Sequence, residues 1–353
     1  MDIKITRTEN KKSKPQGALG FGKYFSDHMF IMEYENGQWK NARIQPYQPL
    51  VLEPSSSVLH YAQGIFEGAK AYKDKNGKIR LFRLMNNLER MCDSAERLCM
   101  PVFDKKFVYD AIKQLVLLEE EWIPTDEGTA MYIRPTMIAT EPVLGVHASK
   151  TYTFFVIVGP VGAYYANGLK PVKLLVEEHY VRAAKGGTGG NKVIGNYAAS
   201  MKAGELAKAE GYDQAMWLDA KYHRYVEEVG AMNIFFVING VVYTPELDGS
   251  ILPGITRRSA IKLLKDRHIK VRECKIDIRK VAEAAENGTL TEVFGTGTAA
   301  VISPVGLFGY QGKDYVVNGG EMGEISKMLY DQLTGIQSGK YQDKYDWVDV
   351  IKD

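Results

Sequence analysis

The chain has 353 residues, 45% hydrophobic and 25% charged, a composition ordinary for a globular protein and a length that exceeds one comfortable core, so two domains are expected. A net charge of +2 makes no electrostatic case for nucleic acid or an anionic membrane. No apolar run approaches the roughly 18 residues of a spanning helix, and the three cysteines contain no CxxC pair or metal-ligand spacing.

The N-terminal MDIKITRTENKKSK is polar and lacks the apolar core of a signal peptide. With Cys92, Cys99 and Cys274 odd in number, reduced thiols in a cytoplasm are expected. Met29 to Tyr34 reads as a strand entering the Asn36-Gly37 turn of a hairpin. Leu88 to Leu98 has helical spacing, with Met91, Ala95, Leu98 and Cys99 on one side and Pro101 as the stop. Phe107 to Glu121 is a second amphipathic helix, ending near Pro124. Ala130 to Pro135 and Thr151 to Val158 are rich in strand formers. The breaker-dense run from Gly159 to Gly168 divides the chain into a domain of residues 1–160, a linker of 161–172 and a domain of 173–353.

Strands and helices alternate in the second half. Val172 to Glu177 is a strand, and Tyr197 to Glu210 a helix carrying Met201, Leu206 and Ala207 inward. Gln214 to Asp219 and Ala231 to Ile238 are strands, and Asn239-Gly240 marks a hairpin turn. Leu252 to Ser259 opens a helix running to about Asp266, and Thr291 to Phe294 is a strand leading into Gly295-Thr296-Gly297-Thr298. The whole is an α/β chain of mixed α+β character, without internal repeats.

The stretch Gly186 to Tyr197, GGTGGNKVIGNY, sets four glycines and Asn191 ahead of Lys192 and continues Ile194-Gly195-Asn196-Tyr197. Glycines let a backbone approach a ligand closely, and a desolvated lysine there can attack a carbonyl; the plainer reading is a flexible loop with a solvated lysine. Gly295 to Ala300 matches G-x-G-x-x-A, but strand-like Val301-Ile302 follows where a dinucleotide fold needs a helix. A turn whose N–H groups face an anion remains. Pro253-Gly254-Ile255-Thr256 places a glycine before a helix, where free N–H groups and the dipole favour a phosphate, and Arg90 offers a fixed charge. Glu227-Glu228 before a small-residue strand can be a solvated strand entry or can aim one carboxylate at a buried cation. Two anion-seeking backbones and a glycine-cradled lysine suggest a phosphorylated cofactor bearing a carbonyl.

Together these pieces resemble the fold-type IV pyridoxal phosphate enzymes, and among them the branched-chain amino acid aminotransferases. The residues that carry the match include Phe66-Glu67-Gly68, Glu89-Arg90-Met91, Tyr132-Ile133-Arg134-Pro135, Lys192 to Tyr197, Glu228 to Asn233, Pro253 to Arg257 and Glu292 to Ala299, in order from about Phe21 to Trp347. The resemblance implies a smaller N-terminal α/β domain, a larger C-terminal pseudo-barrel and pyridoxal 5′-phosphate in the cleft between them. It implies that Lys192 bonds the cofactor's aldehyde and shuttles the substrate Cα proton, that Glu228 meets the pyridine nitrogen and that Tyr197 meets the phenolic oxygen. Arg90, Ile255, Thr256 and Thr298 would hold the phosphate. Thr298 and Ala299 would meet the substrate carboxylate, Arg134 the second carboxylate of 2-oxoglutarate or glutamate, and Phe21, Phe66, Tyr132, Tyr164 and Val146 the apolar side chain. Tyr61 would reach in from the partner of a homodimer. The implied reaction moves the amino group of leucine, isoleucine or valine to 2-oxoglutarate by a ping-pong route.

The family pattern is departed from in three ways. Ala300 and Ser303 stand where the animal enzymes of the family carry a CxxC redox pair, Ile194 where a glycine is frequent, and Ala231 where a threonine is common. No thiol switch is therefore expected there. Lys185 competes for the catalytic role, but spacing to Asn196-Tyr197 favours Lys192. A D-amino acid aminotransferase or a 4-amino-4-deoxychorismate lyase would share the fold; chain length, Arg134 and the aromatic pocket disfavour both. A non-catalytic phosphate-ligand-binding protein would not require Lys192, Tyr197 and Glu228 together.

Overall fold

The computed structural model describes residues 2–162 and 170–352; positions 163–169 of the expected linker, Tyr164 among them, lie outside the described residues. A short strand β1 (Lys4–Ile5) precedes the hairpin of β2 (His28–Glu35) and β3 (Gln38–Pro46). Its turn is formed by Asn36 and Gly37 at left-handed φ of 53° and 79°, the conformation that matches the twist of two paired strands. Next come α1 (Ser57–Tyr61), β4 (Gly64–Phe66), β5 (Ala69–Lys73), β6 (Ile79–Phe82), α2 (Leu84–Arg97), α3 (Lys105–Leu118), β7 (Ala130–Ala139) and β8 (Tyr152–Val161). These strands form one sheet in the order β1-β3-β2-β8-β7-β5-β6, with β4 also on β7.

Strand alternation divides β7 between two faces. Met131 and Ile133 are fully buried with Leu88 and Met91 of α2 and Ile112 and Leu115 of α3, while Tyr132 and Arg134 leave the opposite face. Asp104 caps α3 by accepting from the N–H groups of Lys106 and Phe107. Cys99, expected on the apolar side of α2, lies beyond the helix end at φ 54° and is exposed.

The second unit begins with β9 (Val172–Glu177) and continues through α4 (Ile194–Ala199), α5 (Met201–Ala209), β10 (Gln214–Leu218), β11 (Val226–Val229), β12 (Met232–Ile238), β13 (Val241–Thr244), α6 (Ile255–Asp266), β14 (Val271–Glu273), α7 (Ile278–Glu286), β15 (Leu290–Gly297), β16 (Val301–Tyr310) and β17 (Lys313–Val316). Its sheet runs β11-β10-β9-β16-β15-β12, and β11 also pairs with β12, so six strands close into a barrel. Asn239 and Gly240 turn β12 into β13 with φ of 49° and 71°. The helix expected over Tyr197 to Glu210 arrives in two pieces that meet at Ser200. The buried stripe of the second piece is Ala203 and Ala207, and Met201, expected inward, is exposed.

The chain then returns through α8 (Glu324–Ser338) to β18 (Val348–Lys352), which pairs antiparallel with β6. Gly335–Asp353 therefore belong to the first unit, as do Lys192–Gly195, two returns that a single division at 161–172 does not include. With these returns the first unit, expected to be the smaller, is the longer. The physical reason is the edge of β6, whose backbone groups need a partner. Trp347 secures the junction: its carbonyl accepts from Arg83 N–H at 2.7 Å, and its ring meets Phe82 edge-on at 6.0 Å and stacks on Tyr345 at 4.3 Å. No helix among the described residues is long and apolar enough to cross a membrane.

Removing that ring tests the closure. Trp347→Ala is expected to destabilise the chain by about 3 kcal/mol, the usual cost of deleting a buried aromatic, read as a lower urea midpoint with little change in slope.

Candidate active site

Lys192 is held by its backbone in the first unit. Its N–H donates to Ser94 Oγ at 3.0 Å, its carbonyl accepts from Phe66 N–H at 3.2 Å, and Val193 bridges Ile65. Ser94 Oγ in turn donates to the Arg90 carbonyl at 3.0 Å, so one turn of α2 positions both Arg90 and Lys192. The Lys192 amine lies 4.7 Å from the Phe66 ring centroid. Ile194 has a packing role here. Its Cδ1 is 2.5 Å from where a Cβ on Gly64 would stand, so the larger side chain fills the space that glycine leaves.

Arg90 grips the fully buried Glu67 with two bonds, Nε to Oε1 at 2.7 Å and Nη2 to Oε2 at 2.9 Å. Asn87 Nδ2 adds a third at 2.8 Å and Gly68 N–H a fourth at 3.1 Å. Burial alone would raise the Glu67 carboxyl. Arg90, the Lys192 cation and Asn87 outweigh it and hold the carboxyl below the usual carboxylate range. Glu67 therefore stays an anion that fixes the direction of Arg90.

The outward face of β7 carries the expected substrate residues. The Arg134 guanidinium sits 4.7 Å over the Phe66 ring and 5.2 Å from that of Tyr132, and its Nη2 donates to Tyr132 Oη at 3.2 Å. Arg134 Nε is buried without a hydrogen-bond partner among the described residues. Phe21 meets Tyr132 edge-on at 4.8 Å. The structure thus brings Phe21, Phe66, Tyr132, Arg134 and Lys192 together. Tyr61 and Val146 stand apart: the Tyr61 hydroxyl donates to the Leu144 carbonyl at 2.6 Å, and Val146 is 85% exposed.

In the second unit Glu228 leaves β11 into a buried polar cluster. Its Oε1 accepts from Leu252 N–H at 2.9 Å and Asn233 Nδ2 at 3.2 Å, and Arg182 stands 3.1 Å from Oε2. Asn233 also donates to the Leu252 carbonyl at 2.8 Å. A Cβ on Gly254 would collide with Asn233 Oδ1, so only glycine fits there, and α6 starts at Gly254 with no side-chain cap. The buried Ile255 and Thr256 then place first-turn N–H groups where an anion would complete them. Tyr197 lines a pocket with Arg182, Asn191, Asn196, Glu228 and Ala231. Register pairs Asn233 with Thr296, whose hydroxyl is buried without a partner among the described residues. Thr298 and Ala299 follow in the half-buried turn from β15 to β16, a hairpin rather than a dinucleotide-binding helix start.

Gly189 and Gly190, ahead of Lys192, serve the protein's own packing. A Cβ on Gly189 would collide with the Ser250 carbonyl, and Gly190 N–H donates to the Gly249 carbonyl at 3.0 Å. Asn196 staples the loop, donating to the carbonyls of Thr188 at 2.9 Å and Asn191 at 3.0 Å and accepting from Thr188 Oγ1 at 2.6 Å. The expectation that these glycines serve close approach to a cofactor is thus corrected for Gly189 and Gly190. Lys185 is exposed and lines a different cavity. Glu67, Arg182 and Asn233 escaped the sequence reading as site residues, because nothing local marks an ion-pair partner supplied by a distant segment.

A family model described as amino-transferase class IV matches residues 64–308. Branched-chain-amino-acid transaminase 1 of Bacillus subtilis (strain 168) is 53% identical over 348 residues, covering 98% of each chain. Branched-chain-amino-acid aminotransferase 2 of the same strain is 52% identical over 351 residues, 99% of this chain and 97% of that one. The solved branched-chain amino acid aminotransferase from Escherichia coli aligns with a TM-score of 0.74 at 27% identity, over 93% of this chain and 99% of that one. A second solved branched-chain amino acid aminotransferase, complexed with N-(5′-phosphopyridoxyl)-L-glutamate, aligns with a TM-score of 0.75 at 28% identity, over 91% of this chain and 98% of that one.

Two substitutions separate packing from mobility in the lysine loop. Gly189→Ala, forced against Ser250, is expected to cost about 2 kcal/mol in urea unfolding, as overpacking does. Gly195→Ala, with open space around the added methyl, is expected to change stability by under about 0.5 kcal/mol. Arg182→Met, which strands a buried Glu228, is expected to cost about 3 kcal/mol or more in the same assay.

Proposed function

The chain belongs to the class IV aminotransferase family, and from that premise we infer that it is a pyridoxal 5′-phosphate-dependent branched-chain amino acid aminotransferase. It transfers the amino group of L-leucine, L-isoleucine or L-valine to 2-oxoglutarate. The groups in each unit fit the cofactor: a half-buried amine in the first suits an aldehyde, and a buried carboxylate held by a cation and an uncapped helix start in the second suit a ring nitrogen and a phosphate. When bound, pyridoxal phosphate supplies a carbonyl that condenses with amines and a ring that takes up the electron pair released at the substrate Cα.

The observation that carries the site assignment is the clamped Lys192, its backbone bonded on both sides and its amine over Phe66. In this reading Lys192 holds the cofactor and moves the proton at the substrate Cα. Glu228, held by Arg182, Asn233 and the Leu252 N–H, faces the ring nitrogen and favours its protonated form. Tyr197 binds the phenolic oxygen. Arg90 supplies a cation for the phosphate, and Ile255, Thr256 and Thr298 supply donors. Thr298 and Ala299 receive the substrate carboxylate. Phe21, Phe66 and Tyr132 give an apolar wall, and Arg134, with Nε unspent, takes the second carboxylate of 2-oxoglutarate or glutamate.

The proposed assembly is a homodimer. It is supported by exposed Leu59, Tyr61, Leu144 and Val146, apolar residues carried by two segments that the Tyr61–Leu144 hydrogen bond ties together. In the dimer Tyr61 and Val146 serve the partner's site.

Lys192→Ala is expected to lower kcat by roughly 10⁴-fold and to abolish the visible absorbance of the bound cofactor, while Lys185→Ala keeps both. The reverse result would move the chemistry to Lys185. With 2-oxoglutarate as acceptor, L-leucine is expected to turn over and D-alanine not; the opposite preference would identify a D-amino acid enzyme. A Leu144→Asp, Val146→Asp double variant is expected to sediment as a monomer and lose activity.

A further inference from the structure

Glu227 and Glu228 are successive residues of β11, so their side chains leave the strand on opposite faces. Glu228 lines the pocket with Tyr197, whereas Glu227 lines a separate cavity of about 360 Å³ within the second unit. Nothing in the transamination reading uses that cavity. Glu227 is only 6% exposed, and its Oε2 has no hydrogen-bond partner among the described residues. A buried carboxyl oxygen without a donor is costly unless something fills the role.

The other acids around the cavity are occupied or exposed. Asp219 accepts from the N–H groups of Lys221, Tyr222, Arg224 and Tyr225. Asp248 Oδ1 accepts from the Ser250 N–H at 3.1 Å and lies 2.8 Å from its hydroxyl, which also lies 2.6 Å from Glu227 Oε1. One hydroxyl proton cannot serve both carboxyls at once, so Ser250 can satisfy only one of the two and does not reach Glu227 Oε2. Burial pushes the Glu227 carboxyl up to about 7, against the Ser250 bond and Arg182, which lower it. Three cations line the cavity, the exposed Lys185, Lys221 and Lys275, beside the exposed Glu246 and the half-buried Asp219 and Asp248. Val226, Pro245 and Ile251 line the cavity with apolar surface, and all three are buried.

An acceptor inside, apolar walls and cations on the lining match one chemical class. We propose that this cavity binds a small aliphatic α-amino acid, its ammonium on Glu227 Oε2, its side chain on Val226, Pro245 and Ile251, and its carboxylate among Lys185, Lys221 and Lys275. The site stands independently of the catalytic assignment, since Glu227 leaves β11 on the face opposite Glu228.

Cys274 lies on the cavity wall and gives a local readout. Holoenzyme whose lysine–cofactor bond has been reduced with borohydride is treated with iodoacetamide, and alkylation of the Cys274 peptide is followed by mass spectrometry. L-Leucine is expected to slow that alkylation at least threefold, and 4-methylvalerate, which lacks the ammonium, to leave it unchanged. Glu227→Gln and, separately, Lys275→Glu are expected to raise the leucine concentration for half-protection at least tenfold. The second substitution is on the surface, so it tests the site even where the first disturbs the fold. The proposal is overturned if leucine fails to protect the wild-type protein, if 4-methylvalerate protects equally, or if both variants are protected as the wild type is. Transamination by unreduced wild-type enzyme is assayed in parallel, so loss of the catalytic reading and loss of this site give different results.

Discussion

A carboxylate removed from water must be held by opposite charge and by donors, and the second unit is arranged around that requirement at Glu228. Arg182 supplies the charge, and Asn233 and the Leu252 N–H supply the donors. Asn233 sits on the next strand in register with Glu228, and Thr296 sits on the strand beyond. Closure of β11 onto β12 is therefore what places these side chains in one row. A slip of one residue in either pairing would turn Glu228 to the opposite face and put Glu227 in its place.

The same asparagine governs the start of α6. Because Asn233 Oδ1 occupies the space beside Gly254, the chain approaches without a side chain and enters the helix uncapped. Barrel register and the uncapped start of α6 are thus one constraint. The loop before Lys192 is comparably determined: Asn196 binds it from within, and Gly189 and Gly190 dock on the turn at Gly249 and Ser250. Its glycines allow tight docking, and the result is an ordered loop. A lysine on such a loop keeps its backbone direction without spending side-chain groups on the task.

In the first unit a buried ion pair performs the corresponding work. Glu67 has no exposure, so Arg90 and Asn87 are drawn to it, and the direction of Arg90 is set before any ligand arrives. Such a pair need not add net stability, since desolvation can cancel its attraction. What it secures is geometry: Ser94, one turn along α2, binds the Lys192 N–H, so the cation and the amine share one rigid support.

Much of this was readable along the chain, where short-range chemistry decides. Asn36-Gly37 and Asn239-Gly240 are turns because both pairs tolerate positive φ, and alternation alone puts Tyr132 and Arg134 on one face of a strand. The helix start at Gly254 was legible because a glycine before a run of helical spacing marks it. Long-range choices were not. Arg182 for Glu228, Arg90 for Glu67 and β18 for the β6 edge each join segments whose pairing leaves no local mark. Ile194 read as a departure until Gly64 was seen beneath it, and Met201 faces solvent because the helix breaks at Ser200. The sequence by itself determined the local turns, the strand faces and the family to which the chain belongs. Only the tertiary structure decided which neighbours hold them and which of two adjacent glutamates faces which cavity, because burial and strand register are properties of the whole sheet.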